Sequence, residues 1–386
     1  MRIAGIISEY NPFHNGHARH IALTRAAGYT HIVCAMNGHI SQRGELTPAS
    51  KWTRARAALL CGADVVIELP ALFGCRTADR FADAGVRLLH ALGVDAISFG
   101  SESGDLRALT EIAKARAGES AALKEQIAAG LSRGETLARA RGAAEAALGI
   151  ADADARPNDI LAAEYIRALM RIDGAPEAFT VRRSSDYHGA EVGEVCSASA
   201  IRAAVARGDA AGARIGVPVI AAFQIGEMGG FCEPDALFLH ALRVRGAAGI
   251  ALLPDISEGI ENRAARAARE AGGRADFIAR VKCKRYTHAR ISRIAAHALI
   301  DLSRELAQAY PEPRYIRVIG MRADAAALMR ALASRARLPI LRAGALTDDP
   351  CFALECRATD AWALSRLPPT ERRAGQEFTR GFVRVT

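Results

Sequence analysis

One strand–turn–helix unit at the start of the chain constrains the fold more than any other feature. An apolar run at residues 3–7 is followed by a turn containing Asn11 and Pro12, and then by a helix-forming segment at residues 18–27. The string His14-Asn15-Gly16-His17 lies between the turn and the helix. In α/β folds phosphate groups bind at this first turn, because the helix N-terminus offers free N–H groups and a positive dipole end. The unit therefore predicts an α/β fold with a phosphate site at residues 14–17.

The two histidines of this string suggest a chemistry. Two imidazoles three residues apart can donate hydrogen bonds to the same triphosphate, and Gly16 lets a phosphate approach the backbone closely. Such donors stabilise the charge that develops on an α-phosphate during adenylyl transfer, without a covalent intermediate. His14 and His17 are therefore the candidate catalytic residues. The alternative is a solvated pair or a capped core histidine, because short motifs recur by chance; the position at the first turn favours the phosphate site.

The N-terminal half continues to alternate strands and helices. The patterns predict strands at 30–36, 64–69, 95–99 and 178–183, and helices at 48–60, 77–92 and 159–169, with an Ala-rich helical stretch at 105–148. Such alternation is typical of a parallel sheet with right-handed crossovers, whose ligands bind at the carboxyl ends of the strands. We expect a Rossmann-like domain at residues 1–217.

The C-terminal half has a different pattern. Residues 218–313 are mostly helical, and one apolar stripe runs through residues 289–308, which we interpret as core. Residues 314–386 contain a small strand–helix–strand unit. Between Glu261 and Ala345 there are eighteen Lys/Arg against seven Asp/Glu, whereas the whole chain has a net charge of +9. This concentration of positive charge indicates a polyanionic partner, with a solvated Arg-rich surface as the alternative.

Composition excludes several classes of protein. Half of the 386 residues are apolar and a quarter are charged, as in a globular protein with a substantial core. No apolar run is long enough to span a bilayer, and the first residues lack a secretory signal, so we expect no membrane association and a cytoplasmic location. The eight cysteines form no CxxC pair and have no cluster of histidines nearby, so no metal site is expected.

Nine short motifs, spread in order from residue 5 to residue 287, carry a resemblance to a known family. They are GIISEYNPFHNGH (5–17), QRGE (42–45), KWTR (51–54), GADVVIELP (62–70), FGSE (99–102), PNDIL (157–161), SASAIR (197–202), EGIENR (258–263) and KRYT (284–287). The chain resembles the tRNA(Met) cytidine acetate ligases, a branch of the HIGH-type nucleotidyltransferases. That resemblance implies ATP-dependent acetylation of N4 of the wobble cytidine (C34) of elongator tRNA(Met), with acetate and ATP first forming acetyl-adenylate.

The resemblance also implies site residues. On sequence alone Gly100 could be a plain turn glycine and Asn158 a helix N-cap, and which of Arg182 and Arg183 binds phosphate stays open. Mg²⁺ is expected to arrive with ATP, and Lys51 is a further candidate for the triphosphate. The implied ATP-binding residues, including those of the second phosphate motif, are Ile7, Ser8, Glu9, Tyr10, Asn11, Pro12, Phe13, His14, Asn15, Gly16, His17, Ala18, Arg19, His20, Gly100, Asn158, Arg182, Arg183, Ser199 and Arg202.

The basic region supplies the candidate tRNA-binding residues, with a salt-bridged helix face as the alternative: Lys282, Lys284, Arg285, Arg290 and Arg293. A cytidine in an anticodon must leave its stack to react, which favours an open pocket. Two positions depart from the family's pattern. His39 could alter the acetate or cytidine contacts, or lie at the surface, and Asp159 stands where the family has Asn.

Two rival functions share parts of this pattern. A small-molecule adenylyltransferase would have the HxGH motif, but such chains are usually much shorter and need no basic C-terminal half. A non-catalytic tRNA- or ribosome-binding protein would need the basic region, but the intact pair His14/His17 and the pair Ser199/Arg202 argue against a decayed site.

Overall fold

The computed structural model describes residues 1–118, 121–135, 137–149, 157–183, 193, 196–346 and 348–386. Its strands belong to one eight-stranded sheet. They are β1 (Ile3–Ser8), β2 (His31–Asn37), β3 (Val65–Leu69), β4 (Ala96–Ser101), β5 (Glu177–Arg182), β6 (Ile316–Arg322), β7 (Ile340–Leu341) and β8 (Val383–Val385).

Helices α1 to α9 belong to the N-terminal half: α1 (Asn15–Ala26), α2 (Lys51–Leu60), α3 (Ala71–Gly74), α4 (Ala78–Leu92), α5 (Leu106–Ala117), α6 (Ala121–Ser132), α7 (Leu137–Ala147), α8 (Pro157–Leu169) and α9 (Ala198–Ala206). They are followed by α10 (Ala210–Ile215), α11 (Phe223–Gly229), α12 (Asp235–Ala251), α13 (Ile260–Glu270), α14 (Arg274–Val281), α15 (His288–Ile300), α16 (Arg304–Ala309), α17 (Ala326–Arg335), α18 (Pro350–Leu364) and α19 (Gln376–Thr379). Short 3₁₀ turns lie at Val219–Ala221, Ala343–Ala345 and Pro369–Glu371.

The sheet has the order β5-β4-β1-β2-β3-β6-β7, with β8 also paired to β6. Strands β1 to β5 are all parallel to one another, which confirms the predicted parallel sheet, whereas β6 is antiparallel to β3. Strand order reverses between β1 and β4, because β2 and β3 lie on one side of β1 while β4 and β5 lie on the other. A ligand crevice forms at such a switch point, beyond the carboxyl ends of the strands.

Helices cover both faces of this sheet, so the central strands are apolar on both sides. In β2, Val33 and Ala35 pack into the larger core with α4 and α8, while Ile32 and Cys34 pack into the second core on the opposite face. The predicted strands of the N-terminal half all form, with bounds shifted by one or two residues. The fold prediction for this half is confirmed.

The apolar stripe predicted through residues 289–308 belongs to two helices. Asp301 adopts a left-handed conformation (φ 60°) between α15 and α16 and ends the first of them. The stripe is nevertheless core, as predicted: Ile291, Ile294 and Leu302 are fully buried.

Strand β6 of the predicted C-terminal unit extends the N-terminal sheet, so the sheet continues across the predicted boundary at residue 314. In the described part of the chain, no helix has the length and apolar character required to cross a membrane.

Candidate active site

A cavity of about 430 Å³ opens at the carboxyl ends of β1 and β4, at the switch point of the sheet. Ile7 and Ser8 reach it from β1, and Phe99 and Gly100 reach it from β4. A smaller cleft shares part of its wall with the cavity and is lined by Gly16, His17, Arg19, His20, Gly100, Val181, Arg182 and Arg183. The predicted phosphate site therefore lies where the topology places a ligand.

His14 and His17 together cap the N-terminus of α1. His14 is the N-cap residue, and its Nδ1 accepts a hydrogen bond from the Gly16 N–H at 3.0 Å. The His17 Nδ1 accepts from the His14 N–H at 3.2 Å, and the two rings stack with centroids 3.7 Å apart. A Cβ at position 16 would come within 2.8 Å of the His14 ring, so glycine is needed for this stack as well as for access to the cleft.

These contacts determine what each imidazole can offer a ligand. Because Nδ1 of both rings accepts a hydrogen bond, the proton of each neutral ring lies on Nε2, which is then a donor. Burial, together with the nearby Arg183, lowers the pKa of His14 to about 3. Burial and the neighbouring His14 likewise lower the pKa of His17. Both rings are neutral near pH 7 and can donate from Nε2 to a phosphate oxygen.

His20 completes the histidine wall of the cavity from the next turn of α1. Its Nε2 is 2.8 Å from the Ser98 Oγ, which also contacts the Thr24 Oγ1 at 2.8 Å. Burial, followed by Arg183, lowers the pKa of His20 to about 4. This side chain is therefore neutral and oriented by β4.

The two candidate arginines at the end of β5 differ in position. Arg183 lines both the cavity and the cleft, whereas Arg182 lines only the cleft. A Cβ on Gly100 would come within 3.3 Å of the Arg183 side chain, so the glycine leaves room for that side chain. The geometry favours Arg183 as the phosphate contact within the cavity.

Asn158 is part of a carboxylate clamp between the β4 turn and α8. Its backbone N–H and its Nδ2 donate to the Glu102 Oε1 at 3.2 and 2.5 Å, and the Asp159 N–H donates to Oε2 at 2.8 Å. Asp159 in turn accepts the Glu102 N–H at 2.9 Å and the Ser103 N–H at 3.2 Å. Because α8 begins at Pro157, Asn158 lies inside the first turn, and the interpretation of this residue as an N-cap is wrong.

Ser199 and Arg202 also reach the cavity, from α9. Ser197 is the N-cap residue of this helix, and the Arg202 Nη1 donates to the Asn11 carbonyl at 2.8 Å. The Arg202 Nη2 lies 3.4 Å from the Ser199 Oγ and 3.7 Å from the Glu45 carboxylate. Arg202 therefore fastens the β1 loop while facing the cavity.

Not every residue of the predicted ATP segment reaches the cavity. Phe13 is fully buried in the second core, and Asn15 bonds to the carbonyls of Ile215 and Gly216. Pro12 and Ala18 line neither the cavity nor the cleft. These residues shape the loop and α1, and the lining residues of this segment are Ile7, Ser8, Glu9, Tyr10, Asn11, His14, Gly16, His17, Arg19 and His20.

A loop after β2 contributes a wall to which sequence reasoning assigned no role. Ser41, Gln42, Arg43 and Glu45 line the cavity. This is the QRGE motif, a polar string that begins five residues after the end of the buried parallel strand β2. Gly44 adopts a φ of +78° and packs against the α15 backbone, where a Cβ would come within 2.7 Å of Arg293 atoms.

Two expectations about this region are wrong. Lys51 is fully buried away from the cavity, where its Nζ contacts Glu68, Glu377 and, at 3.8 Å, Glu355, so it cannot bind a triphosphate. His39 is neither at the surface nor in the cavity: it stacks on Trp362 with centroids 4.5 Å apart.

The candidate tRNA-binding residues divide into two groups. Lys282, Lys284 and Arg285 are exposed and form no ion pair with any other described residue. Arg290 is half-buried and donates to the Asp255 carbonyl at 2.9 Å, and Arg293 is buried and pairs with the Asp255 carboxylate at 2.6 Å. Free positive charge is therefore concentrated in the turn between α14 and α15.

Comparison with known proteins assigns the family. A family model described as HIGH Nucleotidyl Transferase matches residues 1–377. The tRNA(Met) cytidine acetate ligase of Syntrophotalea carbinolica is 38% identical over 88% of this chain and 84% of its own length. That of Caldanaerobacter subterraneus is 34% identical over 95% of this chain and 96% of its own length. The chain belongs to the tRNA(Met) cytidine acetate ligase family.

A solved structure agrees with this family assignment. Thermotoga maritima TmcAL bound with alpha-thio ATP superposes with a TM-score of 0.90 at 27% identity, over the full length of both chains. The apo form of the same protein gives a TM-score of 0.91. The chain is thus an enzyme with the fold of a HIGH nucleotidyltransferase.

Proposed function

We propose that this enzyme acetylates N4 of the wobble cytidine, C34, of elongator tRNA(Met) in two steps. Acetate attacks the α-phosphate of ATP, giving acetyl-adenylate and pyrophosphate; the cytidine amine then takes the acetyl group and AMP leaves. One observation carries the proposal: two neutral imidazoles with donating Nε2–H groups share a cavity with Arg183 and Arg202. We infer the identity of the tRNA and of the acetyl group from the names of the relatives.

The first step requires positioning and charge stabilisation. Acetate is ionised near pH 7, so no base is needed to form the adenylate. His14 and His17 donate to the phosphate under attack, while Arg183 and Arg202 bind the other phosphates. Asn158 and the Gly100 backbone, which line the cavity, contact the nucleoside. Arg19 and Arg182 line the cleft that adjoins the phosphates.

Mg²⁺ would enter with the ATP phosphates, as it usually does in such sites. Within the described residues, the grouping of three potential metal ligands is Glu68, Glu355 and Glu377, which lies outside the cavity. Lys51 and Arg317 already contact these carboxylates, so the residues present do not fit a resident cation there.

The tRNA surface that we propose centres on Lys282, Lys284 and Arg285, with Arg290 and Arg293 holding the fold beneath it. This surface lies in the turn between α14 and α15, and these two helices contact the cavity loop: Arg274 donates to the Gly44 carbonyl and Ser292 donates to the Arg43 carbonyl. An anticodon loop bound to the exposed cations could therefore present an unstacked base to the cavity.

One assay tests the function directly. The purified protein is incubated with ATP, Mg²⁺, labelled acetate and total tRNA, and the digested RNA is analysed for N4-acetylcytidine; acetate-dependent exchange of pyrophosphate into ATP is measured in parallel. We expect both signals. Exchange without RNA labelling would indicate a small-molecule adenylyltransferase, and RNA binding without exchange would indicate a non-catalytic RNA-binding protein.

A further inference from the structure

The adenylation step proposed above assigns no chemical role to one carboxylate in the cavity. Glu9 follows β1 and lines the cavity beside His14. Its Oε1 accepts the Gln42 N–H at 2.6 Å and the Asn37 Nδ2 at 3.4 Å, while Arg54 holds the Glu9 carbonyl at 2.6 Å. Its Oε2 receives no hydrogen bond from any described residue. The carboxylate is therefore anchored by one oxygen, and the other is available to a molecule in the cavity.

The groups around Glu9 come from four elements. Arg43 and Glu45 lie on the loop after β2, Arg54 on α2, Tyr165 on α8 and Arg202 on α9. Burial raises the pKa of Glu9 above its ordinary value and Glu45 adds to this effect, whereas the Gln42 N–H, Arg202 and Arg43 lower the pKa. A carboxylate shifted toward neutrality is a stronger base than an exposed one.

The second step of the proposed reaction needs such a group. The exocyclic amine of cytosine is a weak nucleophile, because its lone pair is delocalised into the ring. When the amine adds to the acetyl carbon its nitrogen becomes acidic and must lose a proton. Otherwise the adduct expels the amine instead of AMP.

Other groups lining the cavity are poorly suited to accept this proton. The Nδ1 atoms of His14 and His17 already accept backbone hydrogen bonds, and their Nε2 atoms carry hydrogens. The Nε2 of His20 is engaged with Ser98, and the Tyr10 hydroxyl with Cys34. Glu45 is the remaining carboxylate that competes, and it lies 3.7 Å from the Arg202 guanidinium.

We propose that Glu9 is the general base of acetyl transfer, accepting at Oε2 the proton lost by the cytidine N4. In this step the N4–C bond forms, the bond between the acetyl carbon and the AMP oxygen breaks, and AMP leaves as a phosphate anion. Glu9 holds the proton and releases it to solvent after the product departs. The inference rests on the proposed function, and it concerns only the second step.

The test separates the two steps. Wild type, Glu9→Gln, Glu9→Asp and Glu45→Gln are compared in acetate-dependent pyrophosphate exchange, and in single-turnover transfer from preformed acetyl-adenylate to tRNA between pH 5 and 9. Glutamine can still accept the Gln42 N–H but is not a base. We expect E9Q to slow transfer by about a hundredfold or more, and by at least tenfold more than it slows exchange.

The pH profile gives a readout that a merely structural role of Glu9 would not change. The wild-type transfer rate should rise with pH to a plateau; E9Q should lose this rise, whereas E9D and E45Q should keep it. The inference is overturned if E9Q keeps the wild-type profile, or if E45Q loses the rise instead. Wild-type protein that gives neither exchange nor N4-acetylcytidine would refute the proposed function itself, and with it this step.

Discussion

At the scale of single residues, the histidines of the HNGH motif cap helix α1, and we propose that they also donate hydrogen bonds to phosphate. Each Nδ1 accepts a hydrogen bond from a backbone N–H at the N-terminus of α1. Each Nε2–H is therefore available to donate to the proposed ligand. A neutral donor pre-oriented in this way needs no reorganisation when charge develops on the phosphate. The capping box therefore accounts for the spacing of the two histidines, and the stack accounts for Gly16.

Replacing His17 by alanine tests this arrangement. His17→Ala should lower the rate of acetate-dependent pyrophosphate exchange by on the order of a hundredfold or more, because a preorganised donor to the reacting phosphate is lost. The affinity for tRNA should stay near the wild-type value, since the exposed cations lie on a different element. Exchange and tRNA binding are measured alongside His240→Ala, which removes an exposed histidine. Near-normal exchange by His17→Ala would refute the adenylation chemistry.

A second residue-scale prediction concerns pH and stability. Burial lowers the pKa of His297, a core residue of α15, to about 4. Below about pH 6.5, His297 binds a proton in the unfolded chain but stays neutral in the folded chain. The free energy of unfolding therefore decreases as the pH falls from about 6.5 toward 4. The contribution is at most about 3 kcal/mol. The free energy of unfolding in urea is measured at pH 7 and at pH 5. It should decrease less between these two pH values for His297→Gln than for wild type. Equal decreases would contradict the lowered pKa of His297.

At the scale of elements, the helical basic region supports the active-site loop. Arg274 on α14 donates to the Gly44 carbonyl at 2.6 Å, and Ser292 on α15 donates to the Arg43 carbonyl at 2.6 Å. The QRGE wall of the cavity therefore rests on the helices that carry the candidate tRNA surface. This contact gives the basic region a structural role in the site.

Gly44→Ala tests that contact. Alanine would suffer both from the positive φ and from a Cβ within 2.7 Å of the Arg293 backbone, so the loop must move. We expect the KM for ATP or tRNA to rise several-fold, together with a stability loss of about 1–3 kcal/mol. Gly208→Ala is the matched control: its φ is +82°, but a Cβ there meets nothing within 4 Å. Equal effects of the two variants on KM would show that the contact with α15 has no part in the site.

The buried charges around Lys51 join α2 and β3 to the C-terminal elements. Arg317 on β6 pairs with Glu68 and Glu377, both at 2.7 Å. Burial, reinforced by Glu68, raises the pKa of Glu355 to about 8. With Glu355 protonated, two cations balance two carboxylates.

Lys51→Met should therefore be severely destabilising. It leaves a carboxylate buried without its partner, which typically costs about 3–5 kcal/mol. The free energy of unfolding is compared with that of Lys124→Met, which removes an exposed lysine and should change stability by less than about 0.5 kcal/mol. A small effect at Lys51 would mean that water or protonation compensates the cluster.

At the scale of the whole molecule, the exposed cations lie in the turn between α14 and α15, the two helices that support one wall of the cavity. Lys284→Ala with Arg285→Ala should weaken tRNA binding and reduce the slope of log affinity against log salt by somewhat under one unit per lost phosphate contact. Exchange measured without tRNA should not change. The control is Arg107→Ala with Lys124→Ala, which removes the same charge from α5 and α6. Wild-type affinity and slope in the first variant would place the RNA surface elsewhere.

Local sequence patterns were sufficient to predict the elements of the N-terminal half and the segment that lines the cavity. The period of the apolar residues identified the strands and helices of the N-terminal half, and the first strand–turn–helix unit pointed to the segment that lines the cavity, because both depend on interactions between near neighbours in the chain. Ser199 and Arg202 were also predictable from local pattern, because they lie one turn apart on α9 and both reach the cavity.

Tertiary structure decided what depends on distant partners. Lys51 resembles a phosphate-binding lysine in sequence, yet Glu355 and Glu377 fold back from some three hundred residues away to neutralise it. His39 is similarly buried against Trp362. The sequence does not distinguish Glu9 from its neighbours as a candidate base. In the structure the Gln42 N–H donates to one oxygen of Glu9, and the other oxygen is available to a ligand. The burial of a side chain and the charges around it depend on residues from distant parts of the chain. A local sequence pattern therefore cannot predict them.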